Sequence, residues 1–143
     1  ETKINPFMRV VFWLMLNNPW RVHTWAMYYG SLYPSRKPAD FSDTLRLLRA
    51  NLAEAGRFDA VKRLGTSSRA PSEERLDRVQ APALVVMGGK DPDFPDPAVE
   101  GKLVADRVGG ELAIIEGAGH YPQTEMPDRT TPVILGFLRS RSA

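Results

Sequence analysis

The sequence contains no cysteine among its 143 residues, which excludes a disulfide framework, a thiolate metal site and a cysteine nucleophile. Long hydrophobic runs are missing as well: the longest covers residues 10–16, or 7–16 if Arg9 is ignored. Because a helix needs about 20 apolar residues to cross a bilayer, we expect no stable membrane insertion. No small-residue cleavage site follows the run, and we therefore expect a cytoplasmic protein.

A surplus of charge of one sign is also absent. Nineteen Lys and Arg residues stand against 17 Asp and Glu residues, for a formal net charge of +2. The basic residues are spread along the chain, whereas nucleic-acid binding needs a concentrated basic face. We therefore expect no nucleic-acid partner. The composition itself, 43% hydrophobic and 25% charged, is typical of a globular domain.

The sequence pattern changes near Pro82. Residues 1–81 predict helices almost throughout, beginning with a helix over residues 5–16 and a second one capped by Asn18 and ended by Gly30. A short helix at 59–64 is expected to stop at Gly65. Residues 82–143 instead predict strand, helix, strand and helix in turn. We interpret residues 1–81 and 82–143 as two regions of different architecture.

The second region predicts a parallel pair of strands. Residues 83–87 and 112–115 are continuous apolar runs, as in strands covered on both faces. Between them, Asp96 and Pro97 open a crossover helix that ends at Val108, and such a crossover makes the strands parallel. A two-stranded parallel sheet is not stable alone. We therefore expect the remaining strands in an N-terminal half that precedes Glu1; the alternative is a small α+β domain that forms a homodimer through its sheet.

Two loops follow these strands and carry an aspartate and a histidine. Asp91 comes after the first strand and His120 after the second, 29 positions later. Because parallel strands end at one edge of a sheet, where open α/β sheets bind ligands, we expect the two side chains to meet. The carboxylate would accept the Nδ1–H of the imidazole, and the other nitrogen would take a proton from a nucleophile or water. Asp93 is a competitor for the acid role.

The two loops resemble the C-terminal third of the α/β-hydrolase superfamily over about residues 80–139. The motifs that carry the resemblance are Gly88-x-x-Asp91-x-x-x-Pro95 and Gly117-x-Gly119-His120-x-x-x-x-Glu125-x-Pro127. The resemblance implies that Asp91 is the acid and His120 the general base of a Ser-His-Asp triad. It also implies an α/β fold in which residues 1–81 form a helical cap and residues 82–143 the C-terminal part of the core.

The sequence departs from the family in two respects: it contains no Gly-x-Ser-x-Gly motif and no His-Gly oxyanion segment. We therefore expect the nucleophile on the missing N-terminal half, and a chain that is inactive alone. The resemblance implies hydrolysis of a small apolar carboxylic ester or related acyl compound, without metal or other cofactor. The alternatives are an aspartate nucleophile acting on haloalkanes or epoxides, a non-catalytic protein that binds a small ligand or a partner, and an independent interaction domain.

Aromatic side chains are candidates for the walls of a substrate pocket. Phe94 and Tyr121 flank the proposed pair in sequence. Trp25 and Tyr29 belong to the aromatic helix of the predicted cap, and pockets often form where two such regions meet. A purely structural role in the cap core is the alternative for the two helix residues. His23 lies on the same helix and has no partner at metal-ligand spacing. We therefore expect its side chain to make a polar contact at the surface or within the cap.

Overall fold

The computed structural model describes residue 13, residues 16 and 17, and residues 19–141. The predicted helix over residues 5–16 lies outside the described residues, apart from Trp13 and Leu16. Asn18, the predicted cap of the second helix, lies outside them as well. Contacts group the chain into two compact units: residues 1–30 with 39–70, and residues 31–38 with 71–143. This grouping does not coincide with the boundary expected at residue 82, because residues 31–38 and 71–81 belong to the second unit. The functional division into cap and core stays a prediction.

The first unit is helical, as predicted. It contains α1 (Arg21–Ser31) except for the last residue of that helix, together with α2 (Phe41–Ala53) and α3 (Arg57–Thr66). Phe58 is its most buried large side chain, 1% exposed, and the Trp25 ring meets it edge-on at 6.4 Å. The expected stop of α3 at Gly65 is wrong: the helix runs through Thr66, whose hydroxyl donates to the Lys62 carbonyl. A single glycine costs a helix only about 1 kcal/mol, which this last turn tolerates.

The second unit contains the predicted strand–helix–strand pattern. After α4 (Ala70–Glu73) and a 3-10 turn (Leu76–Arg78), β1 covers Leu84–Gly88, α5 Pro97–Val108 and β2 Glu111–Ile115. The two strands are parallel and pair in register from Leu84↔Glu111 to Gly88↔Ile115. Two helices follow, α6 (Pro122–Glu125) and α7 (Pro127–Arg141). The sequence did not predict α6, and α7 continues as one helix through Pro132.

The predicted ends of the crossover helix are confirmed. The Asp96 carboxylate accepts the N–H groups of Ala98 and Val99 at 3.1 and 3.0 Å, which satisfies two of the unpaired donors at a helix start. Pro97 is the first residue of α5, and Gly109 ends it with a φ of 61°. These local signals place β1 and β2 side by side, and with them the loops that follow both strands.

The buried core of the second unit lies beneath the ends of the strands. Ile115, Ala118 and Met126 are buried there, with Val86 and Val133 packed against them. The core therefore supports the segment from the end of β2 to α7, which includes the glycine- and histidine-bearing loop. Among the described residues, no helix is both long and apolar enough to span a bilayer.

Candidate active site

Asp91 is placed by a turn that is tied to the end of β2. The N–H of Gly89 donates to the Ile115 carbonyl at 3.0 Å, and the N–H of Lys90 donates to the Ala118 carbonyl at 2.8 Å. The Asp91 N–H returns to the Gly88 carbonyl at 3.2 Å. The Asp91 side chain is thereby held in a nearly buried position, with 5% of its surface exposed.

The Asp91 and His120 side chains meet at this edge of the sheet. Asp91 Oδ2 lies 2.8 Å from His120 Nδ1, and Asp91 Oδ1 accepts the N–H of Asp93 at 3.0 Å. An ionised carboxylate can only accept hydrogen bonds, so this geometry pairs it with the Nδ1–H of the ring, and in the neutral imidazole of that tautomer the lone pair lies on Nε2. The predicted proximity of the two side chains is confirmed, whereas their catalytic roles stay predictions.

Asp93 lies nearby but does not replace Asp91. Its Oδ2 is 3.6 Å from His120 Nδ1, beyond the range of a hydrogen bond. The carboxylates of Asp91 and Asp93 and the imidazole of His120 bring three potential ligand atoms within 4.8 Å of one another. The expected absence of a metal stays a prediction.

The loop that carries His120 is held by a distant segment of the chain, residues 31–38. The His120 N–H donates to the Leu32 carbonyl at 3.0 Å. The Ser35 hydroxyl donates to the Gly117 carbonyl, and Gly117 has a φ of 85°, which favours glycine. A Cβ on Gly119 would lie 2.3 Å from the Leu32 oxygen. The segment therefore lies so close to the loop that only glycine fits at residue 119.

Glu125 is a further residue of this site, and sequence reasoning assigned it no role. Its side chain is 1% exposed. Oε2 accepts the N–H of Gly119 at 2.6 Å, and Oε1 accepts the N–H groups of Ser35 and Arg36 at 2.7 and 3.0 Å. Glu125 belongs to the motif that runs from Gly117 to Pro127, but hydrophobic periodicity indicates neither its burial nor its backbone partners.

Tyr121 packs against the imidazole. The two rings meet edge to face, with centroids 4.9 Å apart and planes at 89°, and Tyr33 lies 5.4 Å away on Tyr121. Burial raises the pKa of the Tyr121 phenol, and the nearby Tyr33, Asp93 and Asp91 raise it further. Tyr121 therefore stays neutral beside His120 over the ordinary pH range.

This raised pKa predicts a pH effect on stability. The folded-state pKa of Tyr121 exceeds its ordinary value of 10.0. The contribution of Tyr121 to the free energy of unfolding is therefore complete at pH values below its ordinary pKa, and it is lost as the pH rises through the folded-state pKa. We expect Tyr121→Phe to lose less stability than the wild type in alkaline urea denaturation. The phenolate absorbance of the wild type should include one tyrosine that titrates at higher pH than an ordinary tyrosine, and Tyr121→Phe should lack it. If the stability of both proteins falls equally with pH, the prediction is wrong.

The other predicted pocket residues are placed as follows. Phe94 is half-buried in the loop after β1, and its N–H donates to the Asp91 carbonyl at 3.4 Å. Trp25 and Tyr29 lie in the first unit, where Trp25 packs on Tyr28 at 5.2 Å. The Tyr29 ring stacks on Phe41 at 6.0 Å. A substrate-binding role for these residues stays a prediction.

Comparison with known proteins places the chain in a family. A search of the curated proteins gives no match. One solved structure is described as "Est816 as an N-Acyl homoserine lactone degrading enzyme"; it superposes with a TM-score of 0.58 at 23% sequence identity. The match covers 94% of this chain but 52% of that one, so the chain spans about half the length of the structure it matches. A model of the alpha/beta hydrolase family matches residues 4–133, and the chain belongs to that family.

Proposed function

We propose that the protein containing this chain is a hydrolase that cleaves a small apolar carboxylic ester, or a related acyl compound, by a Ser-His-Asp mechanism. The observation that carries the proposal is the 2.8 Å hydrogen bond between His120 Nδ1 and Asp91 Oδ2, with Asp91 almost buried. A buried carboxylate on Nδ1 selects the tautomer that leaves Nε2 free to accept a proton. One third of the His120 side chain is exposed, 33%, so a reacting group can approach the ring.

The chain's own residues account for the proton transfers. His120 Nε2 takes the proton of a serine hydroxyl as the serine oxygen bonds to the acyl carbon, and the Asp91 carboxylate stabilises the imidazolium. His120 then returns the proton to the departing alcohol oxygen as the acyl–oxygen bond breaks. In the second half, His120 takes a proton from water as the water oxygen attacks the acyl-enzyme, and gives it back to the serine oxygen.

The nucleophile and the oxyanion donors are proposed to lie on a further part of the protein. The sequence has no Gly-x-Ser-x-Gly motif, and among the described residues β1 pairs with β2 alone. Parallel strands need neighbours and cover on both faces, so β1 offers its second edge to a strand of that part. Acid and base without nucleophile and oxyanion hole leave the chain inactive alone. We further propose a cap role for the helical region and a cytoplasmic location.

The test uses the full-length gene product that contains these residues. A serine-directed fluorophosphonate should label it covalently, and it should hydrolyse p-nitrophenyl acyl esters. Lactones are cyclic esters, so an N-acyl homoserine lactone belongs in the substrate panel. We expect labelling and hydrolysis to disappear in His120→Ala and to persist in His23→Ala, the matched change at the other histidine of this chain.

Three other results would overturn parts of the proposal. Unchanged hydrolysis in His120→Ala would remove His120 from the mechanism. Turnover of haloalkanes or epoxides without fluorophosphonate labelling would indicate an aspartate nucleophile. Neither labelling nor turnover on any of these substrates, with a ligand still bound, would indicate a non-catalytic binding protein.

A further inference from the structure

We propose that Glu125 is a positioning residue that sets the backbone, and through it the ring, of His120. The proposal rests on the proposed function only in giving His120 its role as the base. The hydrogen bonds and burial that define the position of Glu125 are independent of that role. Nothing in the proposed reaction requires Glu125 to touch the substrate.

The environment of Glu125 is unusual for a carboxylate. It is as buried as any large side chain of the described residues, 1% exposed, and burying a charge is costly unless hydrogen bonds compensate it. Here the compensation comes from backbone N–H groups, those of Gly119, Ser35 and Arg36. Such donors cannot move away without moving the chain, so the carboxylate constrains the course of two backbone segments.

The two oxygens of Glu125 face different segments. Oε2 holds Gly119, the residue directly before His120, and Oε1 holds residues 35 and 36. The same segment then supplies the Leu32 carbonyl that accepts the His120 N–H. Two successive amides, 119 and 120, are therefore held directly or indirectly by one side chain.

The backbone at Glu125 and at the residue that follows it is also held by hydrogen bonds. The Arg36 guanidinium donates to the Glu125 carbonyl and pairs with Asp128, and the Met126 N–H donates to the Pro122 carbonyl at 2.9 Å. Because Glu125 is held in this way at the C-terminal end of α6, the position of its carboxylate determines where the N–H of Gly119 lies, and therefore where the histidine loop lies. Misplacing a catalytic group by about 1 Å can cost about 100-fold in rate, and the His120 ring has no other covalent anchor than this backbone.

The test compares Glu125→Gln with the wild type in the full-length gene product. Glutamine keeps the volume but replaces one acceptor oxygen with an NH2 group, which would face a backbone N–H in either orientation. We expect kcat for the acyl ester to fall by about 100-fold with little change in KM. Amide exchange at Gly119, Ser35 and Arg36 should become faster.

A spectroscopic readout separates positioning from general stability. The ring nitrogens of 15N-labelled His120, assigned by comparison with His120→Gln, should report one neutral tautomer in the wild type, with the proton on Nδ1. In Glu125→Gln the two nitrogen shifts should approach each other as the tautomers mix. Thr130→Val is the matched control: Thr130 is also 1% exposed, and its hydroxyl donates to the Pro122 carbonyl of α6. This control should leave the His120 spectrum unchanged.

Two results would overturn the proposal. One is a folded Glu125→Gln protein whose His120 nitrogen shifts and kcat match those of Thr130→Val. The other needs no variant: Gly119, Ser35 and Arg36 amides that exchange as fast as an exposed loop in the wild type. Both spectral readouts remain available in a protein that hydrolyses nothing, so failure of the proposed function and failure of this inference can be told apart.

Discussion

Asp91→Asn is expected to lower kcat of the full-length gene product by about four orders of magnitude. The Asp91 carboxylate accepts the Nδ1–H of His120 across 2.8 Å. An asparagine can present its NH2 group there instead, which stabilises the tautomer with the proton on Nε2. That tautomer has no lone pair to receive the proton of a nucleophile, so the chemical step fails while substrate binding and KM change little.

Asp93→Asn is the matched control for this prediction. Asp93 lies two residues away on the same loop, and its Oδ2 is 3.6 Å from the same ring nitrogen. We expect this variant to keep most of its activity, because Asp91 still accepts the Nδ1–H. Steady-state kinetics on a p-nitrophenyl ester measures both variants. A large loss in Asp93→Asn with a small one in Asp91→Asn would reverse the assignment of the acid.

Gly88→Ala is expected to lower the free energy of unfolding by about 3 kcal/mol. A Cβ on Gly88 would lie 1.9 Å from the Gly119 carbonyl oxygen and 2.6 Å from that of Ala118. Both oxygens belong to the backbone of the histidine loop, so no side-chain rotation relieves the clash. Either β1 or the loop has to move, and we also expect the kcat of the variant to fall.

Gly136→Ala provides the control of opposite sign. Gly136 is an exposed residue inside α7, and a Cβ there meets no atom within 4 Å. Alanine favours a helix over glycine by about 0.5–1 kcal/mol, so this variant should be slightly more stable. Urea denaturation at neutral pH compares the two. Equal midpoints for Gly88→Ala and the wild type would mean that the end of β1 and the histidine loop lie further apart.

Local sequence signals account for the strand–helix–strand unit. Two short apolar runs, an Asp-Pro helix start and a glycine stop specify elements whose bounds depend on neighbours within a few residues. The parallel direction of the strands follows from the length of the connection. For these reasons the approach of Asp91 and His120, 29 residues apart, could be predicted from the order of elements alone.

The position of residues 31–38 could not be predicted in this way. The segment contains Pro34 and Pro38 and reads as a loop. It meets the histidine loop and Glu125, 82–90 residues later, through hydrogen bonds in which at least one partner is a backbone group. Backbone N–H and carbonyl groups are the same in every residue except proline, so their long-range pairing leaves no pattern in the sequence.

The sequence by itself determined the order of elements, the parallel pair and the loops from which an aspartate and a histidine emerge, because hydrophobic periodicity and helix caps are local. Only the tertiary structure decided that Glu125 is buried and that its oxygens hold Gly119 and residues 35 and 36. A glutamate is ordinarily exposed, and its burial is favourable only where the folded chain brings several N–H donors to one point. That convergence is a property of the fold, not of any stretch of sequence.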